Sequence, residues 1–434
     1  MKSLQYEGRG FWKRLERFAS DPPDQGEIRE RVTGILAGVR ERGDAALIEY
    51  TKRFDGFDTT ADKLRIDPRE LTASRKALQP AQRRHIREAI RSVRDFHKEG
   101  LPRNWTARNP HGALVGERWY PVGRVGIYIP AGNVPLVSTT VMTTTLARLA
   151  GVPSIAVFTP ARNDGALSSQ MMAGLSLCGV DEVYRLGGAQ AVAAMAFGTS
   201  TIPRVEKIMG PGNAYVAEAQ RQVFGHVGVD LLPGPSEAML IADESAHPRW
   251  LAADLLAQAE HGSGRERVYF LYHDKEQLAR VREEVKGILP GLRHREAVAR
   301  IWRDRTLAIR CPDMAAAAAV ANFIAPEHLE LHVGKAVARD LTRRIRTAGA
   351  ILRGHRTATV LGDFTAGPSH TLPTGRTGRF FSGLKITDFM RRSSIVEYDA
   401  PSLAKARDVV ATFAELEDLD AHGLSMEVRF PDGE

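Results

Sequence analysis

The sequence predicts an α/β protein: two domains with parallel-sheet cores, plus small helical extensions at the N- and C-termini. Three observations carry this. From about Arg124, short runs rich in Val, Ile and Tyr, each ending in Pro or Gly, alternate with helical stretches. A second alternating series begins at "AMLIADES". Ahead of both, residues 25 to about 100 place apolar residues at spacings of three and four, the helical period. Strand–helix alternation of this kind builds a parallel, doubly wound sheet, because the crossover helices cover its faces.

The elements follow in order. "EIRERVTGILAGVRERGDAALIEYTKRFDG" reads as helix up to the Gly56 break, and "IDPREL" opens another with Pro68 in its first turn. "VGIYIP", "SIAVFTP", "EVYRLGG" and "VEKIMGPGN" are strands of the first series, with "TTTLARLAGV" and "SQMMAGLSLCGV" as helices between them. Ligands in such sheets bind beyond the carboxyl ends of the strands. Gly187-Gly188-Ala189-Gln190 and Gly210-Pro211-Gly212-Asn213 fall there. "AMLIADES", "RVYFLYHD", "TLAIRCPD" and "GAILRG" are strands of the second series. The tail "PSLAKARDVVATFAELEDLDAHG" is helical and ends in the strand-like "LSMEVRF".

A chain of 434 residues suits two to three domains, and 43% hydrophobic with 26% charged residues can bury a large core. The first residues carry charge throughout and lack the apolar stretch of a signal peptide. The weakly charged stretch 125–146 is broken by Pro130, Gly132, Asn133 and Pro135, so no membrane span is expected. Cys178 and Cys311 lie far apart, which suits a reducing cytoplasm and a role as small buried apolar residues. The net charge of +8 is interspersed with Glu and Asp on helix faces, which argues against nucleic acid as partner. No G-x-G-x-x-G fingerprint links a strand to a helix, and no Walker-type phosphate loop is present.

Four constellations can carry chemistry. In "LLAQAEHGSG", residues 255–264, Gln258 and His261 stack at i and i+3 on the last turn of a helix. Pro248 opens this helix, Leu251 and Leu255 mark its buried face, and Gly262 closes it. An imidazole and an amide oxygen there can form half a metal site, or the imidazole simply gains from the helix dipole. In "IAPEHLELH", Pro326 begins a helical turn and Glu327 and His328 supply a carboxylate and an imidazole, common acid–base groups. His328 and His332, at i and i+4, resemble a zinc-peptidase helix. Glu330, however, lies two positions after His328, about 200° around a helix, so that motif fails and His332 is structural. "GDFTAGPSHTLPTGRTGR" holds six Gly and Pro among eighteen residues around Asp363 and His370, more like a rigid site loop than a connector. Its bland alternative is a turn in which Asp363 caps backbone amides. In "ELEDLDAHG", acids crowd a helix end ahead of His422, which alone reads as solvated charge.

Together, "GGAQAVAAMAFGT", "KIMGPGNAYVAEAQ", "GVDLLPGPSE", "IADES", "AADLLAQAEH", "APEHLEL", "GDFTAGPSHTLPT" and "DLDAHG" resemble histidinol dehydrogenase in order and spacing over residues 32–430. The resemblance implies two incomplete Rossmann-like domains that hold NAD without the usual glycine loop. It divides the chain into an N-terminal arm (1–25), a discontinuous metal and substrate domain (26–120 and 238–378), an NAD-binding domain (121–237) and a C-terminal segment crossing to a partner subunit (379–434). It implies one zinc ion per subunit held by Gln258, His261, Asp363 and His422, an N/O donor set compatible with zinc. Glu327 and His328 become the acid–base pair. Ser236, His370 and Glu417 match substrate contacts, together with the metal ligands and His328. Tyr128, Gln190 and Asn213 match NAD contacts. Family members are homodimers with shared active sites, so His422 and Glu417 are expected to complete the neighbouring subunit's site.

The implied reaction is the four-electron oxidation of L-histidinol to L-histidine through L-histidinal, the last steps of histidine biosynthesis. Two departures stand out: Ala131 where many members have Gly, beside a retained Gly132, and the Arg-rich "ARIWRDRTLAIRCPDM". A related zinc- and NAD-dependent dehydrogenase acting on another small alcohol, such as a sulfonated diol, is the alternative. Glu417 suits a cationic amine better than a sulfonate and favours histidinol. A basic scaffold without catalysis would leave the Glu327–His328 pair and the four ligands without a role.

Overall fold

The strands that read most clearly in the sequence, such as "EAMLIA" and "RVYFLY", are buried at every position, the pattern of parallel strands covered on both faces. The computed structural model describes residues 1–20, 26–130, 136–231, 234–261 and 264–430. In chain order its strands are β1 (Lys2–Gln5), β2 (Trp105–Arg108), β3 (Leu114–Pro121), β4 (Arg124–Tyr128), β5 (Ser154–Thr159), β6 (Glu182–Arg185) and β7 (Lys207–Met209). They continue with β8 (Gly228–Val229), β9 (Glu237–Ala242), β10 (Arg267–Tyr272), β11 (Thr306–Arg310), β12 (His328–His332), β13 (Ala350–Arg353) and β14 (Met390–Glu397).

Two compact units divide the chain: residues 1–100 with 122–389, and residues 101–121 with 390–434. The larger unit holds two parallel sheets, in the orders β6-β5-β4-β7-β8 and β1-β11-β10-β9-β12-β13. The expected α/β class with two parallel cores is therefore observed. In the smaller unit β3 pairs antiparallel with β2 and β14, and helices Ala400–Leu416 and Asp420–Glu427 follow.

The six-stranded sheet splits its side chains by the strand period of two. Met239, Ile241, Tyr269, Leu271, Leu329 and Leu331 enter the core on one face. Ala238, Leu240, Val268 and Phe270 enter the other, against Leu251, Leu255 and Ala259 of helix Pro248–Ala259. Pro248 sits in that helix's first turn, and the His247 ring accepts the Arg249 N–H at 3.3 Å as its cap.

The structure corrects several expectations. "HLELH" is strand β12, not a helical turn, because β9 and β13 take up its backbone on both sides. "LSMEVRF" is mostly helix: Asp420–Glu427 folds back on Ala400–Leu416, with Glu427 accepting from Arg407 Nε at 3.1 Å. Asp363 lies within the short helix Thr359–Phe364 and not in an irregular loop. Cys178 and Cys311 are free and buried, and burial pushes their thiols up to about 11 and about 12. Gly262, Ala131 and Gly132 lie outside the described residues. Among the described residues no helix is long and apolar enough to cross a membrane.

Candidate active site

Strand β12 begins at the residue where the chemistry concentrates. His328 is its first residue, opposite Ala238 of β9 and Ala350 of β13, so its ring lies at the amino end of the six-stranded sheet. Leu329 and Leu331 point into one core, leaving His328, Glu330 and His332 on the opposite face, all buried. The imidazole of His328 stands between two carboxylates: Nδ1 is 3.7 Å from Glu327 Oε2 and Nε2 is 3.6 Å from Asp363 Oδ1. Burial by itself disfavours the imidazolium. The Glu327 charge and the Asp363 carboxylate outweigh it and raise His328 to about 10.

Asp363 is the hub. His370 Nδ1 lies 3.9 Å from the same Asp363 oxygen, and His370 Nε2 is 3.4 Å from Thr139 Oγ1. Burial raises the Asp363 carboxyl, but the surrounding His328, His370 and His261 hold it below the usual carboxylate range. His370 itself is lowered, burial outweighing the attraction of Asp363.

Helix Pro248–Ala259 runs back from the carboxyl end of β9, so its last turn returns to the amino end of the sheet. Gln258 is 2% exposed and its Nε2 has no hydrogen-bond partner. His261 turns Nδ1 to the Gln258 carbonyl at 3.2 Å, which leaves Nε2 available. Glu327 Oε2 accepts the Glu237 N–H at 2.8 Å. Ser236, the residue before β9, accepts the Arg267 N–H on its backbone carbonyl at 3.0 Å.

The five-stranded sheet brings the other set together. Tyr128 ends β4, and its hydroxyl accepts the Gly188 N–H at 3.1 Å. Burial pushes Tyr128 up to about 12. Gly188 has φ +65°, a left-handed conformation that favours glycine, and a Cβ there would push the Gln190 amide aside. Gln190 is buried, with Nε2 3.5 Å from Asp55 Oδ2. Asn213 caps helix Ala214–Val223, accepting from Tyr215 and Val216 N–H at 3.0 and 3.1 Å. Glu417 and His422 belong to the smaller unit and are exposed there, Glu417 at the end of helix Ala400–Leu416 and His422 in the last helix.

Sequence reasoning missed four acidic residues and an arginine. Glu237 is fully buried against Arg267 at 3.2 Å, and burial, countered by Arg267, raises it to about 7. Asp55 is pushed up to about 6 by burial, against the Gly187 N–H and Gln190. Asp254, Glu330 and His332 bring three ligand-type atoms within 4.8 Å of one another, the one such His/Cys/Asp/Glu group among the described residues. The available signals were short-range: Glu237 follows Ser236, Glu330 lies one strand period from His328, and Asp254 one helical turn before Gln258.

Two parallel sheets, with an imidazole held between carboxylates at the amino end of one of them, define an α/β enzyme equipped for proton transfer. A family model described as histidinol dehydrogenase matches residues 19–430. The chain is 42% identical to a histidinol dehydrogenase of Gluconobacter oxydans over 99% of both chains, and 40% identical to one from Synechococcus over 96% of this chain and 95% of that one. The crystal structure of histidinol dehydrogenase from Elizabethkingia anophelis is similar at a TM-score of 0.93 and 30% identity, covering 99% of this chain and 98% of that one. The chain belongs to the histidinol dehydrogenase family and is an oxidoreductase.

Proposed function

We propose that the protein oxidises L-histidinol to L-histidine through L-histidinal, with one zinc ion per subunit and NAD as hydride acceptor. The observation that carries this reading is the His328 ring between Glu327 and Asp363, at the amino end of the sheet to which the Gln258–His261 helix returns. Histidinol carries an imidazole, a primary ammonium and a primary alcohol, so its site needs metal-type donors, an anion and a base.

The residues fit zinc on three grounds. His261 has its Nδ1 engaged by a backbone carbonyl, Gln258 is a buried side chain whose amide oxygen is the atom that would face the ion, and Asp363 is an ionised carboxylate among imidazoles. His422 of the partner subunit would complete the set, and Glu417 of the partner subunit would face the substrate ammonium. When bound, zinc supplies a template that holds the substrate's imidazole and amine and orients the carbinol carbon. When bound, NAD supplies the acceptor for the hydride. Tyr128, Gln190 and Asn213 would hold it at the carboxyl ends of the five-stranded sheet, whose core also takes in Val32, Leu36, Leu47 and Leu64, so residues 26–66 pack with that sheet and 101–121 belong to the smaller unit.

His328 takes the carbinol hydroxyl proton as hydride leaves the carbon, giving the aldehyde. Glu327, and Asp363 with it, raises His328 above the ordinary imidazole range, and engaging Asp363 elsewhere would withdraw part of that and favour the neutral ring a base requires. Glu327 activates the water that adds to the aldehyde carbon. The resulting gem-diol gives up a second hydride, for which a second NAD would be the acceptor, and two protons, leaving the carboxylate. Ser236 and His370 contribute substrate contacts.

Leu416, Val428 and Leu424 are 74%, 65% and 62% exposed on the smaller unit. This apolar surface supports a homodimer in which residues 379–434 cross to the partner. The free, buried cysteines support a cytoplasmic location. Purified protein with zinc, NAD and L-histidinol is expected to yield NADH and histidine near a 2:1 ratio, about two hydrides per alcohol. Turnover of another alcohol without turnover of histidinol sinks the substrate assignment.

A further inference from the structure

The Asp254–His332–Glu330 cluster takes no part in the chemistry above, yet it joins β12 to the two helices that carry Gln258 and Asp363. His332 Nε2 lies 2.7 Å from Glu330 Oε2 and 3.4 Å from Asp254 Oδ2. The other Glu330 oxygen accepts both the Thr359 N–H at 2.8 Å and the Thr359 hydroxyl at 2.5 Å. His332 and Glu330 are each 1% exposed.

The spacing of these contacts has a physical logic. Two residues along a strand advance about 6.7 Å, and four residues along a helix advance about 6 Å. Asp254 meets His332, and four residues later the same helix presents Gln258 toward the end of β12 that bears His328. Thr359 meets Glu330, and four residues later the short helix presents Asp363 to His328 at 3.6 Å. The strand and both helices therefore step together, and the cluster is the rung below the site. Helix Thr359–Phe364 is only six residues long, too short to hold itself, and Glu330 satisfies its first N–H, that of Thr359.

We propose that Asp254, His332 and Glu330 are positioning residues. They clamp helix Pro248–Ala259 and helix Thr359–Phe364 to β12, and so fix Gln258, His261 and Asp363 relative to His328. The inference rests on the zinc reading for its consequence, but not for its geometry. Glu330's oxygens are already committed, one to Thr359 and the other to His332 Nε2, while His332 Nδ1 has no hydrogen-bond partner.

The test compares Glu330→Ala, Glu330→Gln and Thr359→Val with Asp274→Ala, which removes a helix cap far along the chain, that of Lys275–Ile288. Zinc affinity is measured by chelator competition, and backbone exchange of the metal-free protein by mass spectrometry. Glu330→Ala is expected to weaken zinc binding about 10- to 100-fold and to speed exchange in residues 359–364. Glu330→Gln, which keeps an acceptor for Thr359, is expected to restore most of the affinity. Thr359→Val, the milder change, covers the case in which Glu330→Ala does not fold and is expected to weaken zinc severalfold. Asp274→Ala is expected to leave zinc affinity and this exchange unchanged. Zinc affinity in the Glu330 and Thr359 variants equal to wild type overturns the inference. Wild type that binds no zinc sinks the zinc reading instead, and exchange then decides: local opening of residues 359–364 upholds the clamp, and unchanged exchange overturns it.

Discussion

The two parallel sheets of the larger unit present their candidate sites at opposite strand ends. In the five-stranded sheet, Tyr128 closes β4, Gln190 follows β6 and Asn213 follows β7, all beyond carboxyl ends. In the six-stranded sheet, Ser236 precedes β9 and His328 opens β12, at the amino ends. The usual rule for open α/β sheets puts ligands beyond the carboxyl ends, and only the first sheet obeys it. The difference lies in the helices: Pro248–Ala259 carries Gln258 at its far end, back at the start of the strands. Glycine-bearing turns serve one sheet, whereas helix ends and a polar strand face serve the other.

If the amino-end site does the proton chemistry, His328→Ala is expected to lower kcat about 10²- to 10⁴-fold while leaving NAD affinity unchanged. Equal loss of NAD affinity, measured by fluorescence titration, would break the separation. At the carboxyl-end site, Tyr128→Phe is expected to raise the KM for NAD about tenfold, a contact of about 1.4 kcal/mol, with kcat within about twofold. A fall in kcat at unchanged KM would assign Tyr128 to the chemistry instead. Asn213→Ala should raise the same KM and also cost about 1 kcal/mol of stability through the lost cap.

The smallest effect sharpens what holds the amino-end site. Burial opposes the His332 imidazolium, but Asp254 on the facing helix and Glu330 on its own strand raise it to about 9, with the His355 ring 6.2 Å away. A raised folded-state value means that the stabilisation is fully present below about pH 6.5 and fades as pH rises through about 9. Urea midpoints are therefore expected to fall across that window, and His332→Gln to flatten the fall. An identical slope in both proteins would remove the cluster from the account.

Much of this was legible in the chain. β4, β5, β6, β7, β9, β10, β11 and β13 announce themselves as β-rich runs bounded by turns, because a parallel strand buried on both faces needs few polar side chains. β12 was misread, since "HLELH" fits a four-residue spacing as well as a two-residue one and only its neighbours settle the period. β2 and β14, largely exposed, carry little hydrophobic signal. The Glu327–His328 pair was visible as adjacent chemistry, whereas Asp363 joins it only through the sheet. The Asp254–His332 contact links residues distant in sequence, so no local pattern reveals it.

The most direct test of the account is where zinc sits. Anomalous scattering from crystals of the zinc-loaded enzyme is expected to place the ion against Gln258, His261 and Asp363, at the amino end of the six-stranded sheet. A zinc peak within Asp254, Glu330 and His332 instead would contradict both the ligand assignment and the clamp.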